Sequence, residues 1–532
     1  MPLRVGQEVQ ALPRAHRLIR SILGAVLSLA ALPGAAQEGG GQVTLSARSG
    51  GFEVTGELLS HDGAWWRLLT DYGVLTLDAA AVACAGEGCP PPELQTLSVS
   101  GDAEIGRALL PPLIEGFARS RELEVSVERP DRALEVWTLT AADGAALRVS
   151  VRYTSTAEGF ADMTAELADL VLALRPPDAV EELLIADSGL GDLDRAGRAR
   201  VLGTDELLPV VAPGSAMTSL TVPELAALYS GEIADWGELG LPPGPVRLHL
   251  PAPASPAAEA FGRLVMDPSG SPLAGTITRH AAGGDVARAV AADPGAIGLV
   301  RLGEAGAARA LVLLDPCGEP GPGGARPQDG PLAMPVLVYL PARPLPPLAR
   351  GLAAFFVAPD AEDAIRDAGL HTRRAPDRIP LAAQGLRLAR AIDGAGEDVP
   401  LEALQDLSRA IEGRDRLTTT FRFDDGTARL DAASWDEVVR LARRIVGGAH
   451  DGRTLLLAGF TDAQGPGGRN RRLSGERAET VRRALTGAIE AMGGAPYGPA
   501  ILAAGFGEAA PLACGDTPWA GRDNRRVEVW TD

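Results

Sequence analysis

The sequence predicts a multidomain α/β protein: a small N-terminal β domain, a two-lobed α/β domain in the middle and an α+β domain at the C-terminus. Three observations carry this. Between Gln42 and Cys89, apolar and polar residues alternate with the period of two that half-buried strands show. From about Leu94 to Arg374, short apolar runs alternate with helical stretches, the pattern of an α/β domain with a largely parallel sheet. From Thr418 to Trp530 strand and helix patterns alternate again in a βαβαβ-like unit. A chain of 532 residues suffices for three or four domains, and 46% hydrophobic residues is enough to build packed cores.

In chain order, Arg14, His16, Arg17 and Arg20 precede an apolar run from Ile22 to Leu32 and then Gly34-Ala35-Ala36. Basic, apolar and small residues in that order predict a secretory signal peptide over residues 1–36, too short for a comfortable membrane span. The export it implies places the protein outside the cytoplasm. A small β domain is expected over 37–92, with one of Trp65 and Trp66 in its core, because adjacent strand residues face opposite sides. Pro90-Pro91-Pro92 reads as a stiff linker. The two-lobed domain is expected over 93–378, with strands at Leu97–Ser100, Leu123–Val127, Asp169–Leu174, Leu207–Val211 and Ile297–Val300. A helical connector follows over 379–416, with a helix over about Leu401–Ile411, then the C-terminal domain over 417–532. In that last domain the pattern predicts strands Thr418–Phe423, Thr454–Phe460 and Val527–Trp530, and helices Ser434–Val446 and Ser474–Met492.

Composition excludes several function classes. The formal net charge of −19 argues against nucleic acid or an anionic membrane surface as the main partner. The chain contains no lysine, which removes P-loop, Schiff-base and Ser-Lys chemistry. His61, His249, His280, His371 and His450 are scattered, and no nucleophile elbow or His-Glu-x-x-His helix is present. The pattern predicts no catalysis, no metal and no cofactor. Four cysteines in an exported chain predict disulfides: Cys84 with Cys89 across a tight loop, while Cys317 and Cys514 remain as further candidates.

The richest constellation lies near the C-terminus. The apolar run Leu457-Ala458-Gly459-Phe460 ends in Thr461-Asp462, followed by Gly465, Asn470, Leu473-Ser474 and Arg477-Ala478. An acidic residue at a strand end and a basic residue on the following helix suit a ligand with both an ammonium and a carboxylate. A cation in a helix's first turn opposes the dipole, so ligand contact would explain Arg477 there. With Phe421-Arg422-Phe423-Asp424 and the closing Asn524-Arg525-Arg526-Val527-Glu528, these residues resemble the OmpA-like peptidoglycan-binding domain over about Thr419 to Thr531. The resemblance implies that Asp462 meets the ammonium, and Arg477 the carboxylate, of the diamino acid in a peptidoglycan stem peptide. Asp424, Asn470 and Leu473 would complete the rim.

From about Gln95 to Phe356 the chain resembles a periplasmic substrate-binding protein of the phosphate-binding type. Ser98-Val99-Ser100-Gly101, Ser155-Thr156-Ala157-Glu158-Gly159 and Tyr229-Ser230-Gly231 leading to Asp235-Trp236 carry the resemblance. It implies Ser100, Ser155 and Thr156 as anion contacts, although Ser and Thr in such loops also serve as caps and turns. Two loops depart from the family pattern. Asp102 and Glu104 put carboxylates where an oxyanion would sit, and Pro251-Ala252-Pro253-Ala254-Ser255-Pro256 lacks the usual arginine, glycine and threonine. Tight phosphate binding is therefore not expected.

The resulting expectation is a periplasmic cell-envelope binding protein, held non-covalently on peptidoglycan near the outer membrane. Its substrate-binding-like domain would be presented to a small anion or a protein partner. The alternative is a phosphate or other anion receptor of an ABC transporter, localised by the wall-binding domain.

Overall fold

The structure, a computed structural model, describes residues 41–47, 50–61, 65–79, 81–86, 88–89, 94–193, 197–314, 330–372, 376–393, 399–424, 426–515 and 517–532. The expected signal peptide, the Pro90–Pro92 linker and Cys317 lie outside the described residues. The chain forms two compact units, Met1–Cys89 and Pro90–Asp532.

In the first unit, five antiparallel strands pair in the order Gly73–Asp78, Trp65–Thr70, Glu53–His61, Gln42–Ala47, Val82–Ala85. Val43, Leu45, Leu58, Trp66, Leu68 and Val82 form its core. Trp66 is buried and Trp65 is half exposed, as strand alternation requires. A Cys84–Cys89 disulfide secures the last strand.

The second unit begins with a long sheet that runs through two lobes. The first lobe packs helices Ala103–Ser120 and Pro347–Phe355 over strands Leu94–Asp102, Ala146–Thr154 and Leu170–Ala173. The second packs helix Val222–Ser230 and Phe261 against Leu207, Leu250, Ile297 and Leu299. Strand Ala199–Val211 joins them. Its first part pairs with Ala333–Tyr339 and its end with Ala296–Arg301. The expectation of a largely parallel sheet needs correction. Strands Leu94–Asp102, Ala146–Thr154 and Leu170–Ala173 are parallel neighbours, but Ala333–Tyr339 is antiparallel to both of its own. Glu124–Glu128, Leu134–Thr140 and Ala146–Thr154 form an antiparallel meander. An apolar run reveals a buried strand but not its direction.

The C-terminal sheet has the order Arg378–Ile379, Asp415–Arg422, Arg526–Thr531, Thr454–Phe460, Ala500–Gly505. Helices Ala432–Val446 and Gly467–Ala491 cover one face, with Val438, Leu441, Val481 and Leu485 packed on Leu455, Leu457 and Val529. Helices Gly385–Asp393 and Leu401–Ile411 pack Ala391, Leu407 and Ile411 on the other face, against Leu456, Phe460 and Trp530. This face also buries Glu528, which accepts from Arg526 at 2.8 Å and from Arg387 at 2.6 Å. These guanidiniums hold the Glu528 carboxyl well below the usual carboxylate range, while burial lowers Arg526 to about 9.

This domain docks on both lobes of the middle domain. Ala432 is buried with Phe160, Met163, Ile185 and Ala199 of the first lobe. Trp519 packs on the second lobe, and its Nε1 donates to the Leu264 carbonyl at 2.9 Å.

Candidate functional site

The C-terminal site is built by the close approach of one helix to two strands. A Cβ on Gly459 would run into the Ser474 carbonyl, and one on Gly505 into the backbone of Arg471 and Gly475. Glycine at both strand positions therefore lets the Gly467–Ala491 helix lie directly on the sheet. The helix starts at Gly467, not at Ser474. Ser474 is not its N-cap: its hydroxyl donates to the Arg471 carbonyl and accepts from Gly507 N. Arg477 consequently sits inside the helix, and the dipole argument for its ligand role falls away.

Asp462 follows the strand and is mostly buried; its Oδ2 accepts from Arg525 Nη1 at 2.7 Å. Arg477 is fully buried. Its Nε donates to the Thr427 carbonyl at 2.9 Å and its guanidinium lies over the Phe423 ring. Each of the two charges is engaged within the protein, Asp462 by Arg525 and Arg477 by the Thr427 carbonyl. Asn470 is buried and organises the loop after Asp462. Its Nδ2 donates to Glu508 Oε1 at 2.6 Å and lies within reach of the Gln464 and Gly465 carbonyls. Leu473 is half-buried on the same helix. Asp424 is half-buried and bonded to Arg429; burial raises its carboxyl above the usual range.

The cleft region of the middle domain is filled by its own groups. Asp102 caps helix Ala103–Ser120 by accepting from Glu104 N and Ile105 N. Burial pushes its carboxyl up to about 6. Across the lobes, Arg301 donates to Asp205 at 2.6 Å and to Glu104 at 2.9 Å. Arg175 of the first lobe donates to Glu259 of the second at 2.6 Å. Glu304 lies against Gly283, at the start of helix Gly283–Ala291. Ser100 donates to Asp162 at 2.6 Å, Ser155 caps helix Thr156–Thr164, and Thr156 Oγ1 accepts from Leu174 N. All three hydroxyl residues thus have internal bonds.

Sequence reasoning missed Arg525, Arg301 and the Thr427 carbonyl that holds Arg477. Arg525 stood inside the quoted Asn524–Glu528 run, but it caps the end of helix Pro518–Asn524 whereas Arg526 opens the buried last strand, a boundary the run does not mark. Cys514 is disulfide-bonded. Among the described residues, no group of three or more His, Cys, Asp or Glu could hold a metal, and no helix is long and apolar enough to cross a membrane.

Comparison with known proteins gives two matches within the chain. Residues 422–525 match the OmpA family, and residues 128–357 match a PBP superfamily domain. No curated protein matches the chain. Among solved structures, an ABC-type phosphate transport receptor from Vibrio cholerae is similar at 16% identity and a TM-score of 0.40, over 52% of this chain and 100% of that one. PstS from Borrelia burgdorferi is similar at 13% identity and a TM-score of 0.38, over 53% of this chain and 100% of that one. The chain joins a PBP superfamily domain to an OmpA family domain on one polypeptide.

Proposed function

We propose that this is an envelope protein that attaches to peptidoglycan through its C-terminal domain and carries its middle domain as a binding module in the periplasm. The OmpA family match supports wall association, and both domain types support an envelope location. The carrying observation is the packing of Gly459 on Ser474, which sets Asp462 at the strand end and Arg477 on the facing helix. Asp462 would exchange Arg525 for the ligand ammonium, and Arg477 would exchange the Thr427 carbonyl for the ligand carboxylate. Both exchanges replace one charge-assisted bond with another. The second requires the Thr427 carbonyl to give way. Binding of this kind needs no nucleophile or base.

Co-sedimentation with purified sacculi tests the site. Asp462→Ala and Arg477→Ala are each expected to weaken binding by about thirtyfold or more, the usual cost of truncating one partner of a desolvated charge pair. Unchanged pelleting by both variants would overturn the assignment.

For the middle domain, the internal bonds of Asp102, Glu104, Glu304 and Arg301 favour a role other than tight oxyanion capture. Helix N-termini attract anions through their free N–H groups. Here the first-lobe helix start is already capped by a carboxylate.

A further inference from the structure

We propose that the back of the C-terminal sheet holds a site for one small monovalent anion of chloride size, with Arg416 as its main donor and Arg387 as a second cation. Such a site is independent of wall binding. It lies between the sheet and helix Gly385–Asp393, where four charged side chains meet. Arg526 and Glu528 occupy alternate positions of strand Arg526–Thr531 and so share one face. Arg416 comes from the neighbouring strand Asp415–Arg422, opposite Trp530, and Arg387 comes from the helix.

The charges there do not balance. Glu528 Oε1 accepts from Arg387 Nη2 at 2.6 Å and from Arg526 Nε at 2.8 Å, while Oε2 accepts from Trp530 Nε1 at 3.1 Å. Both lone pairs of Oε1 are thereby used. Arg416 Nη1 is left 3.6 Å from that oxygen, too far for a hydrogen bond. Arg416 Nε and Nη1 have no hydrogen-bond partner among the described residues, although Arg416 is only 4% exposed. Arg526, by contrast, places its other N–H groups on the Asn524 and Ala510 carbonyls, and Arg387 Nη1 donates to Gln384. Three guanidiniums thus surround one carboxylate, a surplus of two positive charges. Burial, with repulsion among the arginines added, holds Arg387 and Arg526 below the ordinary guanidinium value in spite of Glu528. Arg301 in the middle domain has the reverse surroundings, one guanidinium between two carboxylates.

A buried charge without a counter-charge is costly. An anion on the Arg416 donors removes that cost with charge-assisted hydrogen bonds and shields the three arginines from one another. Arg416 keeps a narrow opening to solvent, which admits an ion of atomic size and excludes a bulky one. A single charge is also far less costly to dehydrate than a double one. Because Arg387 belongs to the connector helix, the bound anion fastens that helix to the sheet.

The test compares unfolding of the full chain in sodium chloride and in sodium gluconate at equal ionic strength. A ligand that binds only the folded chain lowers the unfolding constant in proportion to its concentration once the site fills, so an about tenfold rise in chloride is expected to lower it about three- to tenfold beyond gluconate. In Arg416→Met this extra effect of chloride should vanish; methionine is apolar and removes a buried charge, a change that folds tolerate. Arg387→Met, which lets Arg416 close on Glu528, should reduce it. Crystals grown with bromide should show the halide beside Arg416. Equal unfolding in the two salts would overturn the site. So would a chloride effect that survives in Arg416→Met, or bromide bound elsewhere and not beside Arg416. Should Arg416→Met fail to fold, the salt comparison on the unmodified chain and the bromide position still decide.

Discussion

The two candidate binding regions both hold an arginine that the protein satisfies internally, but they do so by different means. Arg477 donates to the backbone carbonyl of Thr427, in a turn whose Arg429 makes only an exposed pair with Glu182, their side chains 49% and 39% exposed. Arg301 is held by Asp205, whose side chain is 1% exposed, and by Glu104 from the opposite lobe. An exposed pair is worth about 0–1 kcal/mol and yields readily. Breaking a buried pair leaves an uncompensated charge and costs about 3–5 kcal/mol. One arginine leans on an exposed backbone turn; the other is locked by a buried carboxylate.

That contrast can be broken by experiment. The largest effect is expected from Arg301→Met, which strands Asp205 in the core. Loss of about 3–5 kcal/mol in middle-domain stability by denaturant unfolding is the expected result. A loss under about 1 kcal/mol would place Arg301 with the weak, exposed pairs instead.

A smaller effect, about 1–3 kcal/mol, is expected at Asp102. Its folded carboxyl titrates at about 6 against an ordinary value of 3.8, so between those limits the folded state binds more protons than the unfolded one. The stability contribution of this group therefore falls as pH rises from about 4 to about 6, and is fully present only below the unfolded value. Asp102→Asn keeps an acceptor for the Glu104 and Ile105 amides. It should flatten the melting temperature over that pH window and raise it near pH 7. An unchanged slope would mean that burial of Asp102 carries no such cost.

The smallest expected effect is none. Calorimetric titration of the full protein with inorganic phosphate should give no binding in the micromolar range, because the cleft carboxylates already occupy the helix starts. Micromolar binding would restore the anion-receptor reading.

Much of the architecture was legible in the residues. Strand Thr454–Phe460 and helix Leu401–Ile411 have the limits their apolar patterns predict. Strand Ala500–Gly505 was not foreseen, since Ala and Gly carry little strand signal; it forms because Gly505 admits the neighbouring helix. The start of helix Gly467–Ala491 was also misplaced. Its first turns are polar and glycine-rich, and lack the apolar stripe that marks the rest. The connector over 379–416 reads from sequence as helical, without saying what it packs on. In space its helices bury Ala391, Leu407 and Ile411 against the C-terminal sheet.

The sequence by itself determined which side chains are available: the Asp462 and Arg477 motif, the carboxylates at 102 and 104, the prolines at 251, 253 and 256, and a chain with arginine as its one fixed side-chain cation. Those are local properties, fixed by residue type and spacing. Only the tertiary structure decided which of these charges meet. Asp462 pairs with Arg525, Glu104 with Arg301, and Arg429 with Glu182, across separations of 63, 197 and 247 residues. Pairings at that range depend on how lobes and domains pack against one another, which no local pattern encodes.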